Sequence, residues 1–188
     1  MKNKVQKGQF GYLAYKKKFS TIITFGMFAL SLAIYLMGYF TTKTNANLLT
    51  VVAVLGCLPA SKSAVSMIMF IKAKGASKED KTAIEDVINK LNGFYDLFFT
   101  GYQKNFPTNH LTVTQNSIIA YSSDEKITEK DFNDHIKGLL NKERIQDITV
   151  KLFTDRQKYC NRLTELNRLE SDTTARKDIV NMLFQVSL

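Results

Sequence analysis

FSTIITFGMFALSLAIYLMGYFTT, residues 19–42, runs for 24 residues without a charged side chain. A helix rises about 1.5 Å per residue, so this run exceeds the roughly 30 Å hydrocarbon core of a bilayer. A second apolar run, LLTVVAVLGCLPASKSAVSMIMFI, occupies residues 48–71 after a short polar turn at 43–47. Together they predict a two-helix transmembrane hairpin. A secretory signal peptide also places lysines before an apolar stretch. Its apolar region would be shorter, about 7–15 residues, and a small-residue cleavage site should follow. Here Lys43 and a second apolar run follow instead.

The lysines give the hairpin a direction. Residues 1–74 carry ten lysines and no aspartate or glutamate. The remaining 114 residues hold 16 basic and 17 acidic groups, so the net charge of +9 arises entirely in the N-terminal block. A basic chain raises nucleic acid as a partner. The excess charge flanks the apolar runs, however, and no nucleic-acid partner is expected. The lysines read as contacts to anionic lipid and as topology signals. Six precede the first run, and Lys72, Lys74, Lys78 and Lys81 follow the second. The positive-inside rule then puts both termini in the cytoplasm and the 43–47 turn outside a cytoplasmic membrane. Residues 1–18, where Phe10, Tyr12 and Tyr15 interleave with lysines, read as a basic arm on the membrane surface.

Pro59 and Lys62 interrupt the second run. One reading is a single helix over 48–71, kinked where Pro59 removes a donor from the carbonyl of Leu55. Lys62 then lies near mid-bilayer, at a cost of about 2.5–3.5 kcal/mol on insertion scales. The other reading ends the span near Ala60 and lets Ser61 cap an interfacial helix. That leaves too few apolar residues between Leu48 and Pro59, so the kinked span is preferred. An intramembrane lysine marks a pathway, an ion pair or an oligomer contact by default. Its bland alternative is a stem that snorkels toward water. Neither run contains an acid to pair with it; Tyr35, Ser31 and the Leu55 carbonyl are the local candidates. Gly26, Ala29, Ser31, Ala33 and Gly38 offer small surfaces for helix contact.

Residues 76–188 read as a cytosolic domain. Ser77 with Asp80 three residues on is a capping signal, and Ile84, Val87, Ile88 and Leu91 recur at helical spacing. Residues 94–102, FYDLFFTGY, predict a strand. Residues 111–113 and 117–121 flank a Thr114-Gln115-Asn116 turn as a hairpin. Thr128 opens a helix whose face is Phe132, Ile136, Leu139 and Leu140. Residues 147–154 alternate as a half-buried strand. Residues 155–170 form a helix with Tyr159, Leu163, Leu166 and Leu169 inward. Residues 175–186 form a last one, its apolar side Ile179, Val180, Leu183 and Phe184. The order helix, three strands, helix, strand, helix, helix predicts an α/β or α+β domain with a mixed sheet of about four strands. Cys57 and Cys160 fall in different regions, which fits reduced thiols without a disulfide.

Chemistry is sparse. His110, His135 and the two cysteines have no zinc spacing, and no glycine-rich phosphate loop follows a strand. Asp131 and Asp134 beside His135 are the acidic pair of an ordinary helix surface. Neither a metal nor another cofactor is expected. The stretch NHLTVTQNSIIAYSSD, residues 109–124, preceded by a helix bearing Glu85, resembles the core of nuclease-related domains of the restriction-endonuclease-like fold. In that family a metal-binding aspartate precedes a hairpin and a Glu-x-Lys follows on its second strand. At those positions this chain has Asn109, Ser122 and Asp124. The resemblance therefore implies a binding domain on a nuclease-like scaffold without the carboxylates that magnesium chemistry needs.

The function expected is a membrane-tethered interaction or regulatory domain, with a protein partner or a second copy of the chain, and with its two C-terminal amphipathic helices exposed for that purpose. One alternative is a metal-dependent phosphodiester enzyme using Glu85, Asp96, Asp124 and Glu125. Another is an oligomeric channel or transporter element with Lys62, beside Pro59, lining a pore.

Overall fold

The structure, a computed structural model, describes residues 5–102, 104–169 and 176–188. It separates into two compact units, one of Met1–Leu13 with Lys74–Leu188 and the other of Ala14–Ala73. Among the described residues the chain has six helices and one sheet of four strands.

The Ala14–Ala73 unit is a helical hairpin. Helix α1 is Tyr12–Thr42, starting ahead of the 19–42 run so that Lys16, Lys17 and Lys18 are already helical. Helix α2, Leu48–Lys72, passes through Pro59 unbroken. Ser61 does not cap a second helix; its hydroxyl donates to the Cys57 carbonyl at 2.8 Å. Asn47 caps α2 instead, accepting from the Thr50 amide at 2.8 Å. Both helices are long and apolar enough to cross a membrane.

Small residues line the seam between them. Thr24 and Ser63 share a hydrogen bond of 2.8 Å. A Cβ on Gly56 would stand 2.8 Å from the Ser31 hydroxyl, and one on Gly38 would stand 2.8 Å from Leu49. Thr24, Ser31 and Gly38 are seven apart, as are Gly56 and Ser63, which is the spacing of a packed helix pair. Of the small residues read from sequence, Ser31 and Gly38 lie in this seam, whereas Gly26 faces open space and Ala29 and Ala33 are exposed.

The other unit is an α/β domain. Its elements are α3 (Lys78–Ile88), β1 (Asn92–Thr100), β2 (Asn105–Val113), β3 (Ser117–Tyr121), α4 (Glu129–Lys142), β4 (Thr149–Phe153), α5 (Arg156–Leu169) and α6 (Lys177–Val186). This is the order read from the sequence. The Leu169 side chain and residues 170–175 lie outside the described residues. The sheet runs β1-β2-β3-β4, with β1–β2 and β2–β3 antiparallel and β3–β4 parallel.

Strand β3 shows how the layers are built. Ile118 and Ala120 point into a core shared with Phe132, Ile136 and Leu140 of α4 and Ile179, Met182 and Leu183 of α6. Ile119 and Tyr121 point the other way, into a core with Ile84 of α3 and Tyr159, Leu163 and Leu166 of α5. Period-two alternation thus feeds two helical layers. It also overturns the expectation of exposed C-terminal helices, because the apolar faces of α5 and α6 are consumed by the domain's own core.

Strand β2 begins at Asn105, earlier than the sequence suggests, and contains Pro107. The Phe98 carbonyl accepts from the Leu188 amide, so it points away from β2. Phe98 and Pro107 therefore form a non-hydrogen-bonded pair, and the missing Pro107 amide faces away from β1. Strand β3 pairs with β2 only from His110 to Val113, so no ladder bond is lost there.

Candidate functional site

The β1–β2 ladder pairs Tyr95 with His110 and Leu97 with Thr108 but skips Asp96 and Asn109 between them. Asp96 has φ +54, the left-handed region that a non-glycine residue rarely visits inside a strand. Both residues are 1% exposed. Each side chain is turned to work outside the ladder.

Asp96 reaches two segments distant in sequence. Its Oδ2 accepts from the Gly11 amide at 2.7 Å, and its Oδ1 accepts from the Ala76 amide at 2.8 Å. Gly11 immediately precedes α1, at whose start the amides have no partner within the helix. Asp96 thus caps α1 from another element, with its negative charge at the positive end of the helix. Burial pushes its carboxyl above the ordinary range, and hydrogen bonds from backbone amides pull it partly back.

The segment before α1 is held in two further places. The Gly8 carbonyl accepts from the Tyr95 amide at 2.8 Å, pairing residue 8 with the free edge of β1. Gly8 has φ +86, and a Cβ there would stand 2.6 Å from the Phe184 ring, so the position requires glycine. The Lys7 ammonium donates to the carbonyls of Phe184, at 2.8 Å, and Ser187, capping the end of α6. Phe10 packs edge-on against Tyr95 with the Lys81 ammonium over its ring. Residues 1–18 read as one surface arm in the sequence; the described part of it up to Leu13 is instead a strap across the α/β domain.

On the opposite strand, Asn109 Oδ1 accepts from the Ser123 amide at 2.7 Å, and the Ser122 hydroxyl donates to the Pro107 carbonyl at 2.6 Å. The positions that the nuclease resemblance would make catalytic are therefore neighbours here, and their side chains brace the ends of β2 and β3. The Asn109 Nδ2 is buried without a partner among the described residues.

Next to Asn109, His110 is fully buried and its Nδ1 lies 2.5 Å from the Tyr159 hydroxyl, which also contacts Thr112 at 3.2 Å. Burial pushes the imidazole down to about 3 and raises the Tyr159 phenol. Asp80 closes the capping box with Ser77 and accepts from the Tyr121 hydroxyl at 3.3 Å, with Arg156 at 3.5 Å. Burial, then the Asp80 carboxylate, pushes the Tyr121 phenol up to about 12.

The remaining residues singled out from sequence are scattered. Glu85 is exposed on α3 and pairs with Lys81 at 3.6 Å. The Asp124 carboxylate accepts from the Lys126 amide at 3.1 Å, and Glu125 is exposed beside it. Asp131 holds Lys104 at 2.6 Å, and His135 stacks on Phe106. Among the described residues no three His, Cys, Asp or Glu side chains gather closely enough to hold a metal ion. The four carboxylates of the phosphodiester alternative are not brought together, and Asp96 is occupied by backbone amides. Lys62 is exposed on α2, one position from Ser63 in the seam. It sits level with Thr24, six residues into α1 from Lys18, or about 9 Å along the helix.

The sequence reading missed the roles of Lys7, Gly8 and Gly11, and it placed Tyr159 inward without its contact to His110. The signal for the first three was present as two glycines around an aromatic in KGQFGY, residues 7–12, a composition that suits a turn better than a helical arm. No protein-family model, no curated protein and no solved structure matches this chain.

Proposed function

We propose that this chain is an integral membrane protein that holds an α/β interaction domain at the cytoplasmic surface. The observation that carries the membrane half is the inverted character of the hairpin. Hydroxyls and glycines pack between the helices, while Ile22, Phe25, Phe40, Leu48 and Leu58 are 65–78% exposed. A soluble helix pair would bury the large apolar residues instead, and so broad an apolar surface requires lipid or protein against it. Lys16, Lys17, Lys18 and Lys72 share one end of the hairpin, and by the positive-inside rule that end faces the cytoplasm and its anionic lipids. Lys62, about 9 Å from the level of Lys18, is then within reach of the headgroups by snorkelling, without a pore.

For the domain, the support is that its polar side chains at the sheet break are engaged as braces and anchors. This favours a binding scaffold over a phosphodiester enzyme, and agrees with the resemblance to a nuclease-like core that lacks its carboxylates. With α5 and α6 packed inward, a partner would meet a polar face. The groove between α3 and α5, lined by Lys78, Glu79, Thr82, Asp86 and Arg156, offers charges of both signs for that purpose.

The test is crosslinking followed by pull-down from native membranes, comparing the full chain with a form ending at Gly75. Both forms should resist carbonate extraction, and a stoichiometric partner should be lost with the domain. Extraction of the full chain by carbonate would sink the membrane reading. Identical partners for both forms, or none, would sink the interaction reading.

A further inference from the structure

We infer that Asp96 is a latch that locks the segment entering the hairpin and the segment leaving it to the same point of the sheet. One carboxylate accepts the amide of Gly11 on one side of the hairpin and that of Ala76 on the other. The backbone points the same way. Asp96 adopts φ +54 inside a buried strand, breaks its pairing with Asn109, and so turns its side chain out of the ladder toward those amides. Such strain persists where the surroundings hold it in place, and it concentrates at clamps and switch points. Gly75 completes the geometry: a Cβ there would stand 3.0 Å from Asp96 Oδ1, so the chain leaving the hairpin passes directly over the carboxylate.

The latch makes the two connectors a single mechanical unit. Freeing the carboxylate frees both, while the β2–β3–β4 part of the sheet keeps its own ladder and both cores. A displacement of either connector is felt at Asp96 and therefore by the other. This goes beyond tethering, because it joins two segments far apart in sequence through one side chain of the sheet.

Amide hydrogen exchange on the full chain in lipid nanodiscs tests this. Asp96→Asn keeps the volume and tolerates the left-handed backbone, but it loses the charge and one acceptor oxygen. Exchange at Gly11 and at Ala76 should accelerate together, at least about tenfold, because charge-assisted hydrogen bonds are lost at both. Amides of β2 and β3 should be unchanged. Acceleration at only one connector, at neither, or equally across the whole sheet would overturn the proposal. Lys7→Ala removes a tie that Ala76 does not share, so it should leave Ala76 protected; loss of protection there would also overturn it. The unmodified protein supplies an independent reading should Asp96→Asn fail to fold. The amides of Gly11 and Ala76 should open with one common free energy and one denaturant dependence. Separate openings would refute the latch.

Discussion

His110 should make the domain acid-sensitive in a calculable way. Its imidazole is wholly enclosed between Tyr95 and Tyr159, and burial holds it down to about 3 from an ordinary value of 6.5. A Cβ on Gly93 would meet Nε2 at 2.3 Å, so the ring is walled in on that side too. The sign follows from which state binds the proton. Below pH 6.5 the unfolded chain takes up a proton that the folded one refuses until about pH 3. Stability is therefore complete above pH 6.5 and is lost as the pH falls through that window. At pH 5 the loss is about 2 kcal/mol and at pH 4 about 3 kcal/mol. For a domain of this size that lowers Tm by roughly 10 °C at pH 5. The assay is thermal unfolding of the full chain in detergent, followed by the near-ultraviolet signal of its eight tyrosines in the absence of tryptophan. His110→Gln cannot titrate, so its absolute stability will differ while its slope between pH 4 and 7 flattens. Carboxylates held low by hydrogen bonds, such as Asp131 and Asp155, contribute equally to both proteins and cancel in the comparison. A His110→Gln variant with the wild-type slope would refute the assignment.

The hairpin yields two further predictions. Gly56→Leu drives a side chain into Ser31 and should separate the helices. In a form whose native cysteines are replaced, Thr24→Cys with Ser63→Cys should crosslink readily and lose most of that yield when Gly56→Leu is added. Lys62→Leu removes an exposed charge from α2 and should improve insertion by up to about 3 kcal/mol, less if Lys62 snorkels. Its measure is the inserted fraction in a translocon assay. Reduced insertion, or loss of partner binding, would show that the ammonium has a role.

The fold was legible where one physical signal acted alone. The order of elements followed from periodicity, and Ser77 with Asp80 announced α3 because a capping box is local. Strand β3 was read to its exact ends, since Ile118, Ile119, Ala120 and Tyr121 are buried on both faces and leave no ambiguity. The failures share a cause in contacts that cross the sequence. On β1, Phe94 faces the α4–α6 core, and so do Leu97 and Phe99, an odd spacing that the turn at Asp96 produces and no alternation predicts. A proline is disfavoured inside a strand, and the shortness of β3 explains why Pro107 is tolerated in β2. Asp96 was noticed as a carboxylate that could bind metal. Its real partners are the backbone amides of Gly11 and Ala76, which carry no signature of their own. The strap was read as part of a basic arm because lysines near an apolar run are normally lipid contacts, whereas Lys7 is spent on the carbonyls of α6.

That strap changes how the domain must be handled. The sequence suggests cutting at residue 76, yet the fragment 76–188 would lose the Gly8 pairing on β1, the Lys7 cap on α6 and the Gly11 amide on Asp96. Hydrogen bonds to charged groups, such as the last two, contribute about 1.5–3 kcal/mol each. That is a large share of the roughly 5–15 kcal/mol that stabilises a typical domain. The fragment should therefore be poorly stable and expose the edge of β1 to aggregation. Because Gly11 and Ala76 donate to the same carboxylate, their backbones lie close together, and a few glycine and serine residues can replace the whole hairpin. A chain of residues 5–13, that linker and residues 74–188 should be soluble and unfold cooperatively, with Tm well above that of 76–188. Adding Asp96→Asn to the linked form should bring it down toward the fragment. Equal stability of the linked form and the fragment would mean that the strap rests on the domain without supporting it.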